Sequence, residues 1–153
     1  MAYERAEIHM TADNNMISKS IRLKASADLL DEVTDWMDEL LLSCGCDREK
    51  KIDLDISVEE IFINIASYAY EEEGSGEVRV TLNITPKPRM ARITFEDRGV
   101  PFDPLKQQTP DMTLPAKERS AGGLGIHLAK EHTDEMSYEY RDGKNILTLV
   151  KYL

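Results

Sequence analysis

The sequence predicts an α+β domain, a two-layer sandwich in which a mixed, mostly antiparallel sheet carries helices on one face. Three observations predict it. Apolar residues recur at steps of three and four between residues 29 and 69, then alternate over 78–84 and again over 91–95. Turn chemistry at Pro86-Lys87-Pro88 and at Asp142-Gly143 separates alternating runs, as in antiparallel neighbours. The 153 residues, 41% of them hydrophobic, are enough for one core and too apolar for a disordered chain.

Taken in order, residues 1–15 read as a loose lead-in to a single domain over 16–153. Ile17, Ile21 and Leu23 alternate with polar neighbours and predict a half-buried first strand. Ser26 is a suitable N-cap for a helix carrying Leu29, Leu30, Val33, Trp36, Met37, Leu40 and Leu41, and Gly45 closes it. A second helix runs from Asp47 to about Tyr70 with its stripe at Leu54, Val58, Ile61, Ile65 and Ala69. Glu71 to Gly76 end it in a solvated turn. Val78 to Ile84 and Ala91 to Phe95 form a two-strand meander. Residues 101–121 hold four prolines and form a long loop, with a lid at 103–121. Gly122-Gly123-Leu124-Gly125 opens a short helix to His132, and two strands near 136–141 and 145–152 close the chain.

The formal charge of −10 is uneven, with 15 acidic and 3 basic side chains between residues 28 and 73. Such a chain lacks the basic footprint of a direct nucleic-acid binder and is repelled by anionic membrane surfaces. No apolar run reaches a membrane span, and no leader-like apolar stretch follows the polar N-terminus. Cys44 and Cys46 are too close for a useful loop-closing bridge, and two free thiols fit a reducing cytoplasm. The acidic block reads as a solvated helix face, the usual role of a charge run, with a docking surface as the alternative.

Three clusters carry chemistry. Glu60 and Asn64, at i and i+4, share a helix face and can supply a base and a metal-ligating oxygen; an ordinary surface hydrogen bond is the plain alternative. Asp97 ends a strand and can accept an amino proton from a base such as adenine, with Gly99 permitting close backbone approach. The same residues also suit a simple tight turn. The glycines before the short helix expose amides where the helix dipole attracts phosphate, or serve as a hinge.

Together these clusters are more specific than any one of them. Glu60-x-x-x-Asn64, Asp97-x-Gly99-x-Pro101-Phe102-Asp103-Pro104 and Gly122-Gly123-Leu124-Gly125-Ile126 resemble the N, G1 and G2 boxes of the GHKL ATPases. Size and the ending Gly-Gly-Leu-Gly-Ile-His-Leu resemble the stand-alone anti-sigma-factor serine/threonine kinases within that superfamily. The resemblance spans about residues 17–152. It implies the Bergerat ATP-binding fold, ATP and Mg²⁺ as cofactors, and a sigma factor and an anti-anti-sigma antagonist protein as partners. It implies Asn64 as the Mg²⁺ ligand and Glu60 as general base. Asp97, helped by Thr148, would take the adenine amino group, with Gly99 against the base. Gly122, Gly123, Leu124 and Gly125 would hold the phosphates. Tyr68 stands where many relatives carry His, and His9, His127 and His132 read as surface or packing residues.

Three activities follow as alternatives: a protein kinase that sequesters and releases a sigma factor, an ATP-gated binding module without kinase activity, and a slow ATP hydrolase. A homodimer is a further implication, and an edge strand at 17–24 offers a pairing surface across a two-fold axis.

Overall fold

A computed structural model describes residues 4–5, 9–10, 16–107, 113–115 and 123–153. Its elements are β1 (Glu4–Arg5), β2 (His9–Met10), β3 (Ile17–Lys24), α1 (Leu30–Ser43), α2 (Arg48–Tyr68), β4 (Glu77–Pro86), β5 (Arg89–Asp97), α3 (Leu124–Glu131), β6 (Glu135–Arg141) and β7 (Lys144–Tyr152). The strands form one sheet in the order β1-β3-β4-β5-β7-β6, with β2 also on β3. Every pairing among the described residues is antiparallel, so the expected mixed sheet is corrected to an antiparallel one.

The core lies between this sheet and the helices. Ile21 and Leu23 from β3, Val78, Val80 and Leu82 from β4, and Ile93 and Phe95 from β5 point to one face. That face meets Val33, Met37 and Leu41 of α1 and Leu54, Val58, Ile61 and Phe62 of α2. The period of two in the strands and of three to four in the helices thus brings two apolar surfaces together. The opposite sheet face carries residues such as Arg79, Thr81, Thr94 and Thr148, so register decides which polar side chains reach the helix side.

Four local expectations change. The lead-in is not wholly loose, because Glu4–Arg5 pairs with Ile21–Arg22 and His9–Met10 with Ile17–Ser18. The outer edge of β3 is therefore partly occupied by its own chain, which limits the pairing surface expected at 17–24. Ser26 stands at the N-cap of a 3-10 turn, Ala27–Leu29, but its side chain makes no cap bond. Glu73 does that work, its Oε1 accepting from the Ala27 amide at 2.6 Å, so one member of the supposedly solvated run is structural.

At the other end of α1 the reading holds. Gly45 has φ of 70°, its amide donates to Leu42 O, and the Cys46 amide donates to Leu41 O, the paired bonds of a Schellman stop. The closing hairpin turns on Asp142 and Gly143, both at positive φ, as a tight two-residue turn requires. No helix among the described residues is long and apolar enough to cross a membrane.

Candidate functional site

Two adjoining cavities run along the exposed side of α2 between β5, β7 and α3. The first, about 150 Å³, is walled by Ile61, Ile65, Ala69, Val100, Pro104 and Leu147, with Asp97 and Asn145 as its polar end. The second, about 580 Å³, is lined by Glu60, Ile63, Ser67, Gly123, Leu124 and Gly125. Asn64, Tyr68 and Phe102 line both, so the two open into each other.

Asp97 belongs to the core-facing set of β5, two residues beyond Phe95, and is 6% exposed. Its Oδ1 accepts from the Gly99 amide at 2.9 Å and from Asn145 Nδ2 at 3.0 Å. No hydrogen bond among the described residues uses Oδ2, which leaves an acceptor at the apolar cavity. Burial pushes the carboxyl above the ordinary carboxylate range, and the bonds from Asn145 and the Gly99 amide oppose that rise.

Gly99 has a duty within the protein itself. A Cβ there would lie 2.2 Å from Ala69 O and 2.6 Å from Ala69 Cβ, at the C-terminal end of α2. Its close approach is to the protein's own helix, secured by the Val100 amide donating to Ala69 O at 2.9 Å. Tyr70 completes the clamp, its hydroxyl accepting from the Arg98 amide and donating to Glu77 O.

Thr148 is corrected. It lies opposite Thr94 in the β5–β7 register, with the two hydroxyls 3.4 Å apart. Asp97 pairs with Asn145, three residues earlier in β7, and an odd step along a strand changes face. Thr148 therefore points away from the cavity. Asn145 occupies the place assigned to it, and the sequence reading missed that residue. Its signal was parity: 145 shares its face with Leu147 and Leu149 at the end of a buried strand.

Glu60 and Asn64 share the cavity-facing side of α2, as their spacing predicts, and both are half-buried. α3 begins there. Gly123, the N-cap, has φ of 85°, and the first hydrogen bond of the helix is from the His127 amide to Gly123 O. The amides of Leu124, Gly125 and Ile126 precede that bond, and no hydrogen bond among the described residues uses them, as at the start of a helix. A Cβ on Gly125 would lie 2.5 Å from Glu60 Oε2, so this glycine makes room for the Glu60 carboxylate beside the helix N-terminus.

The far end of α3 is anchored. His132 Nδ1 lies 2.8 Å from Asp53 Oδ1 of α2, and Lys151 Nζ of β7 lies 2.9 Å from Asp53 Oδ2. Burial raises the Asp53 carboxyl, but the bonds with His132 and Lys151 outweigh it and hold the group below its usual value. His127 pairs with Glu131 at 3.1 Å. Neither of these histidines lines the cavities.

Gly122 and most of the expected lid, 108–112 and 116–121, lie outside the described residues. The start of that segment is firmly placed. Asp103 Oδ1 accepts from the Leu105 amide at 2.9 Å and caps a 3-10 turn, Pro104–Lys106, whose buried Pro104 walls the first cavity.

An acceptor at the end of a small apolar slot suits a flat base bearing an amino group. A carboxylate, an amide and free helix-start N–H groups in the adjoining space suit a polyphosphate with its cation. The donor set thus fits ATP with Mg²⁺, Asn64 offering the side-chain oxygen for the ion.

Comparison with known proteins agrees with this geometry. A serine/threonine-protein kinase, BtrW, of Bordetella bronchiseptica is 24% identical over 133 residues, covering 87% of this chain and 92% of that protein. A serine-protein kinase, RsbW, of Bacillus velezensis is 34% identical over 107 residues, 66% of this chain and 64% of the relative. The crystal structure of the RsbU and RsbW domains of a Mycobacterium tuberculosis protein superposes with a TM-score of 0.63 at 18% identity. It covers 89% of this chain and 32% of that one, a likeness of fold. The family model for the histidine kinase-like ATPase domain matches residues 23–151. With the fold, the adjoining cavities and this match in agreement, the chain belongs to the histidine kinase-like ATPase domain family.

Proposed function

We propose that this chain is an ATP-dependent protein serine/threonine kinase acting as an anti-sigma factor in the cytoplasm. In this reading it holds a sigma factor and phosphorylates an antagonist protein on a hydroxyl. The observation that carries the proposal is the pair of adjoining cavities with Asp97 at one end and Glu60, Asn64 and the start of α3 at the other. The kinase relatives named above support the choice of chemistry.

Each residue then has a task. Asp97 Oδ2 accepts the adenine amino group while Ile65, Val100 and Leu147 enclose the ring. The amides of α3's first turn, with Gly123 setting their direction and Gly122 and Leu124 flanking it, receive the phosphates. Asn64 would supply a side-chain oxygen to hold Mg²⁺ in this part of the site. Mg-ATP supplies a transferable phosphoryl group whose charge the ion neutralises. Glu60, beside that helix start, takes the proton of the attacking hydroxyl. Positioning and charge complementarity carry the catalysis, so an acidic protein can hold a triphosphate without a basic surface. A homodimer belongs to the same proposal, with β1 and β2 contributing to the edge otherwise offered by β3.

The test is phosphoryl transfer. Purified protein with γ-labelled ATP, Mg²⁺ and candidate antagonists should move label onto one antagonist. Glu60→Gln should slow that transfer by about a hundredfold or more while leaving ATP affinity within a few-fold. Label appearing only as inorganic phosphate would replace the kinase with a hydrolase. Binding of ATP with no turnover would leave an ATP-gated module.

A further inference from the structure

Asn145 is 7% exposed and sits at the N-terminal end of β7, directly across from Asp97. Its side chain is saturated. Nδ2 donates to Asp97 Oδ1 at 3.0 Å and to Val100 O at 3.0 Å, with Gly99 O at 3.4 Å. Oδ1 accepts from the Phe102 amide at 3.1 Å and from the Tyr138 hydroxyl at 2.5 Å. An amide has two donor hydrogens and two acceptor lone pairs, so nothing remains for a ligand.

The amide has one workable orientation. Turned over, its oxygen would face the carboxylate and Val100 O, and its NH₂ would face the Phe102 N–H. No other side chain of this size offers donors on one side and an acceptor on the other. Aspartate loses the donors, and leucine loses both.

We infer that Asn145 is the positioning residue for base recognition: it ties up one oxygen of Asp97 so that the other faces the cavity, and it holds the 99–102 wall in place. The inference rests on the ATP reading above and extends it to a residue outside the three sequence boxes. Asn145 acts through Asp97 and through the wall, without touching the nucleotide. Its loss removes discrimination at the amino position of the purine more than it removes phosphate binding, because α3 and Asn64 stand apart from it.

The experiment compares ATP with ITP, which carries a 6-oxo group where ATP has the 6-amino group. Equilibrium titration of wild-type protein should favour ATP strongly. Asn145→Leu should lose about tenfold or more in ATP affinity and clearly less in ITP affinity, the shared part of the loss coming from the loosened wall, so that the ATP:ITP ratio falls. A purely structural role would weaken both nucleotides alike and leave the ratio untouched. An unchanged ratio in a folded variant overturns the inference.

Should the leucine variant not fold, Asn145→Asp is isosteric and carries the test. The titratable and charged groups around position 145 are Asp97 at the end of β5 and Arg98 just after it, Tyr138 and the cross-strand Tyr140 on β6, the adjacent Lys144 on β7, Tyr68 on α2, and Asp103 in the connecting loop. In that variant two facing carboxylates share one proton in mild acid and both ionise in alkali. Its ATP affinity should fall about tenfold or more between about pH 5.5 and about pH 8.5, relative to wild type over the same range. A parallel pH profile for the two proteins overturns the inference. Absence of ATP binding by wild-type protein overturns the ATP reading itself, and this inference with it.

Discussion

At Gly99 and Asp97 single atoms decide the site. Asp97 is buried, and its carboxyl is raised first by that burial, against the bonds from Asn145 and Gly99. A folded-state value above the unfolded one means that its stabilising contribution is complete in acid, below the unfolded pKa. That contribution is lost as pH rises through the folded pKa, and above it the ionised group is a local cost that an amino donor offsets. Gly99 has no such latitude. With Ala69 O 2.2 Å from where a Cβ would sit, Gly99→Ala must push the loop away from α2. The expected loss is about 2 kcal/mol or more, read as a lower midpoint in urea, together with weaker nucleotide binding. An unchanged midpoint with lost binding would instead return Gly99 to the ligand-approach role expected from sequence.

Helix ends hold the elements in place. α1 is preceded by a turn whose first amide is satisfied by Glu73, a residue 46 positions away, and the same strip is laced by Gly74 N to Ala25 O and Ala25 N to Gly76 O. Gly76 is required there because a Cβ would run into the Tyr70 ring at 2.1 Å. The stop after Tyr68 is thus a bracket between α2 and the start of α1. Glu73→Ala should cost about 1 kcal/mol in chemical denaturation, the worth of a lost cap, while Glu71→Ala should cost nearly nothing. Equal effects of the two would deny Glu73 its capping role. α3 is held similarly, between Gly125 against Glu60 and His132 against Asp53, so its start is aimed at the second cavity by contacts at both ends.

Over the whole molecule the acid excess is distributed with structure. The block from 28 to 73 covers α1 and α2, and part of it converges where those helices meet. Lys51 Nζ lies 2.8 Å from both Asp38 Oδ2 and Asp55 Oδ2, while Oδ1 of each aspartate is buried with no hydrogen-bond partner among the described residues. Burial, then the neighbouring Asp38 carboxyl, push Asp55 up to about 6 against the pull of Lys51. A raised folded value makes this group's contribution complete below its ordinary 3.8 and lost as pH rises through about 6. Asp55→Asn should therefore raise the melting temperature at about pH 7.5, and the variant should gain less than wild type on acidification to about pH 5. Melting curves at the two pH values check this; a variant less stable at the higher pH would show that the Lys51 bond outweighs the burial of charge.

The sequence by itself determined the element order from β3 onward, the helix stop at Gly45, the hairpin at Asp142-Gly143, and the shared face of Glu60 and Asn64. These depend on period, turn chemistry and neighbours within a few residues, which the chain carries locally. It also supplied Asp97 and Gly123 as two ends of the candidate site, because a polar residue closing a core strand and a glycine opening a helix are local signals. Only the tertiary structure decided which residue answers Asp97. Asn145 lies 48 positions away, and the choice between it and Thr148 turns on a one-residue difference in strand register. Register is set by how the two sheet faces pack across the whole core, and a slip of one residue reverses every side chain in the strand. The same distance hid Glu73's partner and the contact of Gly99 with α2. Local rules placed the pieces of the site, and packing between distant segments decided which of them meet.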